Sequence, residues 1–191
     1  MVHDFQLLSV AVMSKIALLD KEFELFISKS EIDSCVDTLA QRISHDLNGK
    51  DTIFLVILNG AFVFAADLLR SVSIINQISF LKLASYEGIN STGKVKQLIG
   101  LSEDLTGKHV VIVEDIVDTG TTLESIIEQV EIHNPADIRV ATMFIKREIF
   151  IKNIEVKYVG MEIPNKFIVG YGLDYNGYGR NLPDVYQLVN K

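Results

Sequence analysis

At 191 residues, with 48% hydrophobic and 23% charged side chains, the chain has the composition of one folded globular domain and is short for two. Its 18 basic and 25 acidic residues leave a net charge of −7, which argues against a sequence-independent nucleic-acid binder. The single cysteine, Cys35, excludes an intramolecular disulfide and suits a reducing, cytoplasmic setting.

Residues 5–19 are apolar. His3 and Asp4 stand where a secretory signal would carry positive charge, however, and Lys15 breaks a run already too short to cross a bilayer. No membrane association is expected. Met13-Ser14-Lys15 would itself make a start, so residues 1–12 are expected to be an extension that the fold does not need. Ser30-Glu31-Ile32-Asp33 reads as a helix start, with a side-chain oxygen at the cap and acid in the first turn. Ile32, Cys35, Val36, Leu39, Ile43 and Leu47 then recur at helical spacing until Asn48-Gly49. On that face Cys35 is simply a small apolar residue.

Residues 52–58 form a short continuous apolar run, the pattern of a strand buried on both faces. Phe62, Ala65, Ala66 and Leu69 give the next segment a helical face, and residues 78–86 alternate as another strand. Residues 87–93 hold two glycines with Asn90, Ser91 and Thr92, the composition of a mobile loop, and residues 94–101 return as a strand. After Thr106-Gly107, residues 109–113 make a third buried strand. Leu123, Ile126, Ile127 and Val130 mark a helix ending near Asn134-Pro135. Residues 138–145, 156–159 and 166–170 are further strand candidates.

Alternating strands and helices predict an α/β fold with a parallel sheet and right-handed crossovers. The expected organisation is a single domain, 1–191, with a core over about 30–147. Residues 148–191, with part of the N-terminus, would form a hood over the sheet edge. His3, His45, His109 and His133 are scattered without zinc-ligand spacing.

The segment richest in chemistry is residues 110–122. Val110-Val111-Ile112-Val113 runs into Glu114-Asp115-Ile116-Val117-Asp118-Thr119-Gly120-Thr121-Thr122 and then into a helix. Ligands collect at the carboxyl ends of strands in open parallel sheets, and this turn is expected at such an end. Gly120 permits close backbone approach, and the N–H groups of residues 118–122 open a helix whose dipole favours an anion. Thr119, Thr121 and Thr122 add hydroxyl donors. Three carboxylates in five residues suit a phosphate carried by a sugar, whose hydroxyls and bound divalent cation face the acids. There is no Walker-A pattern, and Gly170-Tyr171-Gly172 lacks the third glycine of a dinucleotide fingerprint.

Residues 110–122 closely resemble the phosphoribosyl-pyrophosphate motif of the type I phosphoribosyltransferases. Further ordered blocks between about residues 53 and 183 resemble the hypoxanthine/guanine branch of that family. Leu58-Asn59-Gly60-Ala61 matches the pyrophosphate loop, with Asn59 where relatives often carry a basic residue. The resemblance implies a cis peptide at Leu58–Asn59. Ser85-Tyr86 with Ser91-Thr92-Gly93 is similar to the mobile loop that closes over the reaction centre.

Lys146, followed by Arg147, matches the donor to the purine O6. Phe167 matches the residue that stacks on the base, and Ile168 the one whose backbone reads the base edge. Asp174 looks like the carboxylate serving a second magnesium, and Arg180 like the cation on the pyrophosphate side.

The resemblance implies a parallel-sheet core with helices on both faces and a small hood. It further implies Mg2+ held by Glu114, Asp115 and Asp174, and a homodimer or homotetramer. The implied reaction is purine salvage. The 5-phosphoribosyl group passes from phosphoribosyl pyrophosphate to N9 of hypoxanthine or guanine, giving IMP or GMP and pyrophosphate, with Asp118 as general base. Two rivals stand beside it: a phosphoribosyltransferase for adenine, xanthine or a pyrimidine, and a regulator using the motif to sense the sugar diphosphate while binding RNA or DNA.

Overall fold

The computed structural model describes residues 14–84, 96–99 and 103–189. Residues 1–12, Ser85, Tyr86 and the Ser91-Thr92-Gly93 loop lie outside the described residues.

The described chain runs β1 (Lys15–Leu18), β2 (Lys21–Ile27), α1 (Lys29–Asp46), β3 (Thr52–Leu58), α2 (Phe62–Ser71), β4 (Gln77–Ala84) and β5 (Lys96–Ile99). It continues through β6 (His109–Val117), α3 (Thr121–Glu131), β7 (Asp137–Ile145), β8 (Tyr158–Glu162), β9 (Ile168–Val169) and β10 (Val185–Leu188). The larger sheet has the order β5-β4-β3-β6-β7-β8. Its strands are parallel except β5, which returns antiparallel on β4.

Alternation along the central strands explains the layering. Phe54 and Val56 of β3, with Val111 and Val113 of β6, face α1 and α2, which supply Ile32, Val36, Leu39, Ile43, Phe64 and Leu68. Ile53, Leu55, Val110 and Ile112 face the other way, onto Leu123, Ile126 and Val130 of α3. Helices therefore cover both faces, and each such side chain contributes about 1.5–3 kcal/mol of burial.

Several boundaries differ from the sequence reading, and the following bear on the site and its supports. Helix α1 begins at Lys29, with Ser28 rather than Ser30 as its cap. Ser28 accepts from the Glu31 amide while Glu31 accepts from the Ser28 amide at 2.9 Å, a reciprocal box that Ser30 has no partner to form. Strand β6 continues four residues past Val113, because Glu114, Ile116 and Val117 stay paired with Thr142, Phe144 and Ile145 of β7. Helix α3 stops at Glu131, where bonds from His133 to Val130 and from Asn134 to Glu131 tighten the chain into a turn. Strand β8 belongs to the larger sheet, beyond the expected core boundary at residue 147.

The smaller sheet, β1-β2-β10-β9, draws on both ends of the chain around Phe23, Val169 and Tyr186. It stands at the carboxyl end of the parallel strands rather than over a sheet edge. Asp184 accepts from the Lys29 amide at 2.7 Å at the N-terminus of α1, and Gly172 abuts the Gly60 carbonyl just past β3. No helix among the described residues is long and apolar enough to cross a membrane.

Candidate functional site

Two helices open without a side-chain cap, α2 from Ala61 and α3 from Gly120, whereas α1 carries a full capping box. An uncapped N-terminus presents amide donors and the positive end of the dipole. Both uncapped ends follow the carboxyl ends of central parallel strands, β3 and β6, where a ligand of an open α/β sheet is expected.

The α3 end forms a nest. Gly120 has φ +86°, and a Cβ there would overlap the ring of Phe150, so its backbone needs glycine for conformation and for space. A cavity of about 130 Å³ is lined by Glu114, Ile116, Val117, Asp118, Thr119, Gly120, Thr121, Thr122 and Leu123. Thr119 and Thr121 hydroxyls lie 3.2 Å apart across it. A wider basin of about 740 Å³, lined in part by Gln41, His45 and Lys50, opens where chains enter β3 and β4, at the far end of the sheet. It has neither helix N-terminus nor carboxylates, so the smaller cavity is the candidate for an anion.

Glu114 and Asp115, expected in the turn, lie within β6, Glu114 buried and Asp115 partly so. Burial drives the Glu114 carboxyl well above the usual range, with Asp115 adding to it. Burial also raises Asp115, to about 6, against the pull of its own backbone hydrogen bonds and of Arg180. Two adjacent carboxylates, one buried and one partly so, with so little compensating charge fit a divalent cation, which prefers hard oxygen ligands. No group of three or more metal-binding side chains occurs among the described residues. A magnesium ion that keeps waters and substrate phosphates in its shell needs only one or two carboxylates.

Asp115 also reaches across to the β3 turn. A Cβ on Gly60 would overlap its carboxylate, and one on Gly172 would overlap the Gly60 carbonyl, so three distant segments pack closely together. Leu58–Asn59 is cis, as the resemblance implied, and Asn59 is exposed. Arg180 stands on the same stack, its Nη1 donating to the Gly172 carbonyl at 2.7 Å and its Nη2 pairing with Asp174 Oδ1 at 2.5 Å. The other Asp174 oxygen accepts from the Gly177 amide at 2.6 Å. Asn59, Gly60, Asp115, Asp174 and Arg180 thus meet.

Asp118 and Lys146 form the second meeting point. Lys146 leaves β7 buried, its amide bonded to the Val117 carbonyl at 3.0 Å and its Nζ 2.9 Å from Asp118 Oδ1. The following strap is tied to the same turn, since Ile163 donates to the Ile145 carbonyl at 2.9 Å. It delivers Phe167, which is 48% exposed and backed by Phe23 and Tyr175 at ring-centre distances of 6.3 and 6.0 Å. The Phe167 ring is therefore a supported face open to solvent rather than core. Ile168 lies buried in β9, the edge strand of the smaller sheet, so one side of its backbone is not paired in that sheet.

Sequence reasoning missed Phe150 and Lys152, which pack against Gly120 from outside the nest, and Tyr171, whose hydroxyl reaches α2. Only Tyr171 carried a signal, a bulky residue between two glycines.

An uncapped helix N-terminus, a carboxylate pair and a cation gathered at the carboxyl ends of parallel strands define an α/β enzyme with a site suited to a phosphorylated substrate. Residues 28–176 match the phosphoribosyl transferase domain family. The chain is 39% identical over 171 residues to the hypoxanthine phosphoribosyltransferase of Buchnera aphidicola subsp. Schizaphis graminum, covering 88% of this chain and 97% of that protein. It is 36% identical over 170 residues to the hypoxanthine-guanine phosphoribosyltransferase of Aquifex aeolicus, covering 88% and 96%. The crystal structure of a hypoxanthine-guanine phosphoribosyltransferase from Bacillus anthracis superposes with a TM-score of 0.81 at 37% identity, covering 87% of this chain and 97% of that one. The chain belongs to the phosphoribosyltransferase family, in its hypoxanthine/guanine branch.

Proposed function

We propose that this enzyme transfers the 5-phosphoribosyl group of phosphoribosyl pyrophosphate to N9 of hypoxanthine or guanine in cytoplasmic purine salvage. The observation that carries the choice of base is the Lys146–Asp118 pair at 2.9 Å. O6 and N7 are neighbouring acceptors on the edge of a 6-oxopurine, close enough for one forked side chain to span both. A fixed ammonium beside a carboxylate matches O6 and a protonated N7. Adenine presents an amino donor at the O6 position and would set donor against donor.

In the reaction the bond from the anomeric carbon to pyrophosphate breaks and the bond to N9 forms. Asp118 takes or shares the N7 proton as N9 attacks. Phe167 and the backbone of Ile168 hold the base against the sugar, so that attack occurs within one bound complex. The nest from Asp118 to Thr122 holds the 5-phosphate through amides and the hydroxyls of Thr119, Thr121 and Thr122. Asn59, Gly60 and Arg180 hold the pyrophosphate.

Glu114 and Asp115 take the ribose hydroxyls and, with Asp174 on the pyrophosphate side, would hold Mg2+. That ion would stabilise charge on the departing pyrophosphate. Asn59 brings no charge to its loop, and Arg180 supplies a cation beside it.

The test is product identity. Hypoxanthine, phosphoribosyl pyrophosphate and Mg2+ incubated with the enzyme should yield IMP and pyrophosphate in equal amounts by mass spectrometry. Release of free ribose phosphate without nucleotide would overturn the assignment.

A further inference from the structure

Tyr171 takes no part in the chemistry above, yet it occupies an unusual position. It sits at φ +50° between Gly170 at +100° and Gly172 at +97°. A bulky residue seldom adopts such a backbone unless its surroundings impose it. Here the partner is Asp67: the buried Tyr171 hydroxyl donates to Asp67 Oδ2 at 2.9 Å, across 104 residues of sequence. Asp67 lies on α2, the helix that grows out of the Asn59-Gly60 turn, and its other oxygen is held by Arg70. Burial first, and the Asp67 bond second, push the tyrosine hydroxyl above its ordinary range, so it remains the donor at any working pH.

The tether joins two segments that touch again at the site. Gly172 packs on the Gly60 carbonyl with no room for a side chain. It also brackets Arg180, donating its amide to the Arg180 carbonyl at 3.0 Å and accepting the guanidinium at 2.7 Å. The residue beside Tyr171 therefore sets where Arg180 stands relative to the Asn59-Gly60 turn. Loss of the hydroxyl would let the Gly170–Gly172 segment relax from its left-handed conformation and carry Arg180 with it.

We infer that Tyr171, through its bond to Asp67, is a positioning residue for the pyrophosphate half of the site. This rests on the reading above, in which Arg180 and the Asn59-Gly60 turn receive pyrophosphate.

The experiment uses Tyr171→Phe, Asp67→Ala, Asp67→Asn and the Tyr171→Phe/Asp67→Ala double variant. It measures KM for phosphoribosyl pyrophosphate, KM for hypoxanthine, and Kd for inorganic pyrophosphate with Mg2+ by calorimetry. Tyr171→Phe and Asp67→Ala should each raise the pyrophosphate Kd and the donor KM about tenfold, leaving the hypoxanthine KM within about twofold. The double variant should be no worse than either single one. Asp67→Asn, whose amide oxygen still accepts the hydroxyl, should stay close to the unsubstituted enzyme.

Unchanged pyrophosphate affinity, with only a lower unfolding midpoint, would overturn the proposal, as would an equal rise in both KM values. Should Asp67→Ala fail to fold, Tyr171→Phe, which removes one oxygen atom, decides the matter. If the unsubstituted enzyme makes no nucleotide, the functional reading fails, while the pyrophosphate titration still decides the tether. Absence of pyrophosphate binding by that enzyme would sink both.

Discussion

Lys146 keeps only 10% of its side chain exposed, so its ammonium depends on Asp118 for neutralisation. Removing the carboxylate altogether would leave a charge poorly solvated, a loss of stability unrelated to catalysis. Asp118→Asn keeps an oxygen to accept from Lys146 while removing the basicity and the charge, so it disturbs the pair less than truncation does. Its kcat should fall by about 10²–10⁴-fold, the usual worth of a general base, while the donor KM stays within about threefold in steady-state assays. Near-normal turnover would take Asp118 out of that role.

Asp115 supplies a second test at this scale. Its carboxyl rises from 3.8 to about 6 on folding, chiefly through burial. Between about pH 4 and 6 the folded chain therefore keeps a proton that the unfolded chain has lost. Stability should fall as pH rises through that window and stay reduced above it, by about 3 kcal/mol for a shift of this size. Glu114 is displaced in the same direction and adds to the effect. Urea unfolding with a chelator present should show the slope, and Asp115→Asn should make it shallower. An equal slope in that variant would contradict the assignment.

At the scale of elements, the caps separate what serves the fold from what serves the ligand. Ser28→Ala should cost about 1 kcal/mol in unfolding experiments and leave both KM values unchanged, since the Ser28 side chain bonds only within the first turn of α1. Gly120→Ala meets both the positive φ and the Phe150 ring, so it should distort the nest and raise the donor KM by at least about tenfold.

Much of this was legible beforehand. Residues 52–58 read as one buried strand because both its faces are apolar, and β3 has those bounds. The Ser28-x-x-Glu31 spacing is equally visible in the sequence, but Ser30 with Asp33 offers a competing cap two residues on. The extension of β6 through Glu114 and Asp115 was hidden, because those acids stay in the sheet through pairing with β7 rather than through any preference of their own. The candidate site residues come from motif and resemblance. Their supports, Tyr171 with Asp67 and Gly120 with Phe150, do not, since contacts between segments tens of residues apart leave no periodic trace.

At the scale of the molecule, the larger sheet presents the carboxyl ends of its central strands, and the smaller sheet brings Phe167, Asp174 and Arg180 over them. In the proposed site neither sheet alone would hold a whole substrate. Phe62, Ile78 and Phe80 remain nearly half exposed, apolar surface of the kind that a contact between copies would cover. Sedimentation analysis should accordingly find a dimer or tetramer at micromolar concentration, and a monomer would remove that expectation.

The most direct measurement of the central claim is the ratio of kcat/KM for hypoxanthine to that for adenine with phosphoribosyl pyrophosphate as donor. A site that pairs Lys146 and Asp118 with O6 and N7 should favour hypoxanthine by about 10⁴-fold, the discrimination expected when a substrate puts a donor where the site needs an acceptor. A ratio near one, or a preference for adenine, would contradict the account.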